Sequence, residues 1–267
     1  MYKKIRQKLF PFRKYNPDLF IVSFPKSGRT WHRVILGAYY CLLKDLNLDL
    51  AAEPQEIALK YNLPYAKYTH DGANFDGNRK PDDPRVAPAE GWKGKPVIII
   101  LRDIRDTLTS AYFHAHYRQK VFSGSIADFI RQPETGADKI LSAWQRWERS
   151  LKDTSRFLIL NYEQMHADTI GTMESTFKFM GIQDINNDLL RQAIEFSQAD
   201  NLRELERKNF FKSGRLRSED SAPKEGMKVR SAKIGDHLNH LSPEDLAYIA
   251  ERETLYNNPF ASSFRQI

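Results

Sequence analysis

One cysteine, Cys41, stands in the 267-residue sequence. A lone thiol can close no internal disulfide and build no cysteine-rich zinc site, so a reducing compartment and a cytoplasmic location are expected. Long apolar runs are also missing. The longest, Val97-Ile98-Ile99-Ile100-Leu101, falls far below the roughly 20 residues that a membrane-spanning helix needs. The basic start, with Lys3, Lys4, Arg6 and Lys8, leads into neither a long apolar stretch nor a small-residue cleavage site. It does not read as a secretory signal. Residues 1–18 read as a solvated basic arm, with peripheral contact to an anionic membrane surface as the alternative. No internal repeat or low-complexity tract is visible. Acidic residues are the minority: 34 Asp and Glu against 41 Lys and Arg, a formal net charge of +7. Such a balance suits an anionic ligand without naming it, whether a nucleotide, a nucleic acid or a membrane surface.

What is present is an alternation of short strands and helices. Strands are predicted at Leu19–Phe24, at Pro64–Thr69 (the weakest), at Val97–Leu101 and at Phe157–Tyr162. A helix is predicted over residues 31–46, and Ile140, Trp144, Trp147 and Leu151 make one apolar helical stripe. The pattern predicts a single α/β domain over residues 19–267, with a central, mostly parallel sheet flanked by helices. Ligands of such sheets lie at the carboxyl ends of the strands. Residues 71–94 are rich in Gly, Asp, Asn and Pro and read as a loop beside the substrate. Residues 207–230 read as a lid-like loop.

The sharpest signal is Phe24-Pro25-Lys26-Ser27-Gly28-Arg29-Thr30-Trp31. It follows a strand and opens a helix, where unsatisfied N–H groups and the helix dipole form an anion site. Gly28 lets backbone approach a phosphate. Lys26 adds a full charge, and Ser27 and Thr30 add hydroxyl donors. The Gly-Lys-Ser/Thr order that holds Mg²⁺ in NTPases is not reproduced, because Lys26 precedes the only glycine.

This loop resembles the 5′-phosphosulfate loop of the sulfotransferases that use 3′-phosphoadenosine 5′-phosphosulfate (PAPS). Arg29 stands where better-known members have Thr. Arg102 follows the third strand and Ser110 lies eight residues on, which resembles the family's 3′-phosphate motif. On the residues alone, Arg102 could equally pair with Asp103 or Asp106. Tyr162-Glu163 resembles the family's Tyr-Glu segment near the nucleotide. Residues 229–237 resemble the segment that covers it, with Arg230 and Gly235 matching, Ser231 and Ala232 replacing Lys and Gly, and His237 replacing Trp. Together these stretches span roughly residues 19–245. The resemblance implies a P-loop nucleotide-hydrolase-like fold and PAPS as co-substrate with PAP as product. It implies Lys26, Ser27, Gly28, Arg29, Thr30, Trp31, Arg102, Ser110, Tyr162, Arg230, Ser231 and Ala232 as the donor site.

Transfer of a sulfuryl group to a hydroxyl or amine calls for a general base, and a neutral histidine suits that role near pH 7. His70 ends the second strand, and Thr69-His70 matches the end of the family's Lys-Thr-His segment. Lys67 is one residue out of register and is expected on the opposite face. His114 and His116 make a poor metal pair, and no catalytic metal is expected. The expected partner is a small-molecule acceptor rather than nucleic acid, with Phe75, Trp92, Tyr112, Phe113, Phe210 and Phe211 as candidate pocket aromatics. A Mg²⁺-dependent phosphoryl-transfer enzyme and a non-catalytic nucleotide or nucleic-acid binder are the rival readings. The family's dimer segment is not recognisable around His240-Leu241-Ser242-Pro243, which leaves the oligomeric state open.

Overall fold

The computed structural model describes residues 16–73, 92–217 and 224–264. The basic arm up to residue 15, most of the 71–94 loop and part of the 207–230 segment lie outside the described residues. In chain order the first elements are β1 (Leu19–Ser23), α1 (Arg29–Leu43), α2 (Pro54–Tyr61), β2 (Ala66–Thr69) and β3 (Pro96–Leu101). Next come α3 (Ile104–Phe113), α4 (Ile126–Arg131), α5 (Ala137–Leu151), β4 (Arg156–Asn161) and α6 (Tyr162–Ala167). The chain continues through α7 (Thr169–Phe179), α8 (Asn187–Phe196), α9 (Ala199–Arg207) and α10 (Pro243–Leu255).

The four strands form one parallel sheet in the order β2-β1-β3-β4. Side chains alternate across it, as a period of two requires. Leu19, Ile21, Ile98, Ile100 and Leu160 pack on one face with α1 and α8. Phe20, Val22, Val97, Ile99 and Leu101 pack on the other, over Trp144 and Trp147 of α5. Burial on both faces explains why β3 reads as an unbroken apolar run, as strands of covered parallel sheets do. No helix among the described residues is long and apolar enough to cross a membrane.

The strand predictions match to within a residue or two, with one consequence. Tyr162 does not close β4 but is the first residue of α6, so its ring turns across the sheet edge. The helix predicted from Trp31 starts at Arg29 and stops at Leu43. The 207–230 segment begins inside α9 and buries Phe211, Leu216 and Met227. Its described part is therefore packed onto the domain rather than lying free as a flap.

Candidate active site

At the carboxyl edge of the sheet, the turn after β1 sets up a concave backbone. Lys26 has φ 74° and Gly28 φ 90°, both left-handed, and they bracket Ser27. Successive N–H groups in such a turn point inward and make an anion cradle. Only glycine fits at position 28: a Cβ there would run into the Tyr162 ring, and the backbone sign alone would strain any other residue. The α1 N-terminus has no side-chain cap, so its first N–H groups remain available to a ligand.

A cavity of about 310 Å³ opens on this edge. From the loop, Lys26, Gly28, Arg29, Thr30 and Trp31 line it. His70, Arg102, Ser110 and Tyr162 come from the ends of β2 and β3, from α3 and from α6, and the segment 230–232 closes over them. Eight residues of separation in sequence thus put Arg102 and Ser110 on one wall, because α3 folds back over the end of β3. Ser27 differs from the expectation. It is buried beneath the loop, it does not line the cavity, and its Oγ has no hydrogen-bond partner among the described residues.

Arg102 is held from several sides. It donates to the carbonyls of Lys26 (3.2 Å) and Lys233 (3.0 Å), and its guanidinium carbon lies 4.4 Å from the Tyr162 ring centre. The pairing with Asp103 or Asp106 resolves by helix capping. Asp103 caps α3 and pairs with Arg105, while Asp106 sits 3.6 Å from Arg102. What the sequence reading missed, toward the 229–237 segment, is the second role of Asp106. Its buried carboxylate accepts from the N–H of Gly235 (2.8 Å), the N–H of His237 (3.0 Å) and Nδ1 of His237 (2.8 Å). It therefore fastens the 229–237 segment to α3. In that segment Arg230 pairs with Asp236 and stacks on Phe113 at 4.1 Å. Ala232 takes φ 54°, the left-handed geometry for which glycine is the easier residue. A second anchor is Glu206, fully buried, which accepts from Arg118 (2.8 Å) and from the N–H groups of Lys228 (2.9 Å) and Val229 (3.1 Å).

His70 leaves β2 and enters a tight turn. Asp71 and Gly72 have positive φ, and the Asp71 carboxylate accepts from Trp147 Nε1 (3.0 Å) and Arg146 Nη2 (3.1 Å). The ring is thereby fixed over the sheet edge. Its Nδ1 lies 2.7 Å from the Ser23 carbonyl, and Nε2 meets Arg29 Nη2. A guanidinium can only donate, so Nδ1 carries the proton. Burial first, and then the Arg29 charge, push His70 down to about 3. Burial, reinforced by Lys228 and Arg118, pushes Lys26 down to about 7. Lys67 is exposed, lies 5.8 Å from the Phe20 ring and does not line the cavity. The cation beside His70 is Arg29 instead.

At the far end, Trp31 packs against His166 (4.7 Å between ring centres) and Tyr162 (6.1 Å), with Leu202 completing an apolar wall. His114 lines the cavity as well, with Nδ1 buried and without a hydrogen-bond partner among the described residues. The proposed pocket aromatics do not gather here. Trp92 and Phe211 belong to the two cores, Tyr112, Phe113 and Phe210 do not line the cavity, and Phe75 lies outside the described residues. Among the described residues, no group of three or more His, Cys, Asp or Glu side chains could hold a metal.

Comparison with known proteins agrees with this geometry. Cytosolic sulfotransferase 5 of Arabidopsis thaliana is 24% identical over 259 residues, covering 87% of this chain and 77% of that protein. The crystal structure of mouse sulfotransferase SULT7A1 complexed with PAP superposes with a TM-score of 0.61 at 17% identity, over 95% of this chain and 89% of that one. A retinol dehydratase in complex with androsterone and the inactive cofactor PAP gives 0.61 at 13% identity, over 96% and 86%. The fold is therefore the P-loop-like α/β fold of these enzymes. Because the sulfotransferase-domain model matches residues 16–253, nearly the whole of the described chain, the protein belongs to the sulfotransferase domain family.

Proposed function

We propose that the protein transfers the sulfuryl group of PAPS to a hydroxyl or amine of a small-molecule acceptor, acting in the cytoplasm. The observation that carries this reading is convergence. A phosphate cradle, a second cationic site and an aromatic wall share one cavity with a neutral histidine. Two cationic sites and an apolar wall in one cavity suit a nucleotide that carries phosphates at two positions. The loop N–H groups and Thr30 would receive the 5′-phosphosulfate. Arg102, Ser110 and the 230–232 segment would receive the 3′-phosphate. Trp31, Tyr162 and Leu202 offer flat apolar surface to the base. The fit has independent support in the Arg102 Nε, which is buried without a partner among the described residues, and in the glycine cradle that a Cβ would fill.

In the reaction, the acceptor O–H or N–H bond breaks and its proton passes to Nε2 of His70. The acceptor atom bonds to sulfur while the bond from sulfur to the 5′-phosphate oxygen breaks, releasing PAP. Lys26 stands on the cradle to stabilise charge on that leaving oxygen, as preorganised electrostatics requires. Binding energy from the remote 3′-phosphate positions the reacting group. Burial keeps His70 neutral at pH 7, so its lone pair exists, and the negative charge of the donor offsets the cations that hold its basicity down. Nε2 is nonetheless engaged by Arg29, so Arg29 must release it before the proton can move.

The test is calorimetric titration with PAP in EDTA, beside the same nucleotide without its 3′-phosphate. Metal-free binding that needs the 3′-phosphate and weakens on Arg102→Ala supports the donor assignment. Equal binding of both ligands, or none by folded protein, overturns it. Metal-dependent binding of ATP in its place would favour phosphoryl transfer, and salt-sensitive affinity without turnover would favour a simple binder.

A further inference from the structure

The cavity carries more positive charge beside His70 than the donor needs. Arg29 and Arg33 are four residues apart on α1 and so share one face of that helix. That face looks toward β2: Arg29 reaches His70, and the Arg33 guanidinium lies 4.5 Å from the Tyr68 ring centre. Trp31 faces the other way, toward Tyr162 and His166 on the β4 side. The donor anions have their own partners in Lys26, the loop and Arg102, which lie between these extremes.

Among the described residues, neither Arg29 nor Arg33 has a carboxylate within ion-pair distance. Arg33 is only 4% exposed and lines the cavity, and its Nε has no hydrogen-bond partner among the described residues. The carboxylates nearby are committed elsewhere. Glu53, the residue before α2, accepts from Arg215 Nε (2.9 Å) and from Ser213, and its charge reaches Arg33 only from a distance. Glu206 is taken by Arg118 and two backbone N–H groups. Lys228, also on this wall, donates to the Arg215 carbonyl (2.9 Å) and, among the described residues, to no carboxylate. Burial first, and then repulsion from the Arg33 and Arg215 charges, push Arg29 down to about 9. Guanidinium groups withdrawn from water without counter-charge are costly, and an anionic ligand removes that cost. Arginine is also the side chain whose planar fork best matches a carboxylate or sulfate.

Resting on the sulfotransferase reading above, we infer that the acceptor is itself an anion, whose carboxylate or sulfate-like group docks on Arg29 and Arg33 beside His70. This placement has a mechanistic consequence. The docked oxyanion draws the Arg29 guanidinium to itself and off Nε2, which frees the lone pair that takes the acceptor's proton. A neutral acceptor leaves Nε2 capped. Substrate choice and activation of the base are then one event.

The test uses PAP-loaded full-length protein titrated calorimetrically. The probes are 4-hydroxybenzoate, glucuronate and cholate, each beside its methyl ester, and 4-hydroxybenzenesulfonate beside its sulfonamide. At least one acid should bind about tenfold or more tighter than its neutral partner, the scale of one charge-assisted contact. Arg33→Met should erase that margin and Arg33→Lys should restore part of it, with PAP affinity within about twofold of wild type in both variants, since tenfold is 1.4 kcal/mol and little donor binding is lost. PAP binding with no margin across the panel, or a margin that survives Arg33→Met, overturns this inference alone. Absence of PAP binding by the wild type fells the donor reading and this inference with it.

Discussion

Arg29 donates to Nε2 of His70 while Nδ1 of the same ring donates to the Ser23 carbonyl 2.7 Å away. Both nitrogens are thus spoken for, and the ring holds one tautomer. The depressed basicity of His70 has burial as its main cause and the Arg29 charge as the next. Replacing Arg29 by the uncharged Thr should therefore raise the His70 pKa from about 3. Burial alone will still keep it below the ordinary value of about 6.5. Ring-nitrogen NMR over a pH series reads this directly. An unchanged titration in Arg29→Thr would show that the contact carries no electrostatic weight.

Loss of the His70 ring should fall on turnover and spare donor binding. A positioned general base contributes about 10²–10⁴-fold to rate, so His70→Ala should cut kcat by that range. Its nearest contacts are Arg29 and Ser23 rather than Arg102 or the 230–232 segment. PAP affinity should therefore hold within about threefold, under 1 kcal/mol. Steady-state turnover and PAP calorimetry on one preparation separate the two. Wild-type turnover in the variant would remove His70 from the mechanism.

The parts of this site that the sequence displays are those built by local order. The run from β1 through Gly28 into α1 is contiguous, so its cradle can be read from residue types alone. Arg102 and Ser110 are also local, because one strand end and one helix fix their relation. The parallel sheet followed from the alternation of strands and helices, and the unbroken apolar run of β3 agrees with it, since both faces of that strand are covered. What could not be read depends on contacts across the chain. Asp106 looks like one more acid in a helix's first turn until Gly235 and His237 arrive from 129 and 131 residues away. Arg33 looks like a surface charge on α1, but α1 is buried nearly all round. Lys228, Leu202 and His166 reach the cavity from segments that carry no motif. Aromatic residues misled for the same reason: Trp92 and Phe211 are large enough to be needed in the cores.

Donor affinity should fall as pH rises through the range just above neutrality. In the free protein Lys26 is pushed down to about 7 and Lys228 to about 8, burial being the largest cause in each case. Between pH 7 and 9 both ammonium groups lose their protons when the cavity is without anion. A bound phosphosulfate favours the charged form and raises both values. The complex then holds more protons than its free components, so binding takes protons up and weakens with rising pH. Each proton taken up costs up to about tenfold in affinity per pH unit. PAP titrations at pH 8 in two amine buffers of different ionisation enthalpy, HEPES and Tris, should differ in heat by those enthalpies, with the sign of proton uptake. Lys26→Met should flatten most of the slope. A pH-independent PAP affinity would contradict the assignment of Lys26 to the phosphosulfate.

Asp106 should prove as important for the donor site as the residues that would touch the nucleotide. Its carboxylate is 1% exposed and serves the N–H groups of Gly235 and His237 as well as the His237 ring, with Arg102 at 3.6 Å. Asp106→Asn keeps the shape but turns one acceptor into a donor. That donor would face N–H groups which already donate, leaving at least one of them unsatisfied. A buried network broken in this way loses about 2–4 kcal/mol of stability. The damage should also reach the ligand. Arg230, Ser231 and Ala232 lie only a few residues before the anchored Gly235, so the segment that would cover the 3′-phosphate loses its tether. PAP affinity should therefore drop by about tenfold or more, although Asp106 itself does not line the cavity. The measurement is chemical denaturation together with PAP calorimetry well below the unfolding midpoint. Lower stability with unaltered PAP affinity would mean that Asp106 braces the fold but does not set the 229–237 segment over the nucleotide. Loss of both would tie the cover of the donor site to a single buried carboxylate.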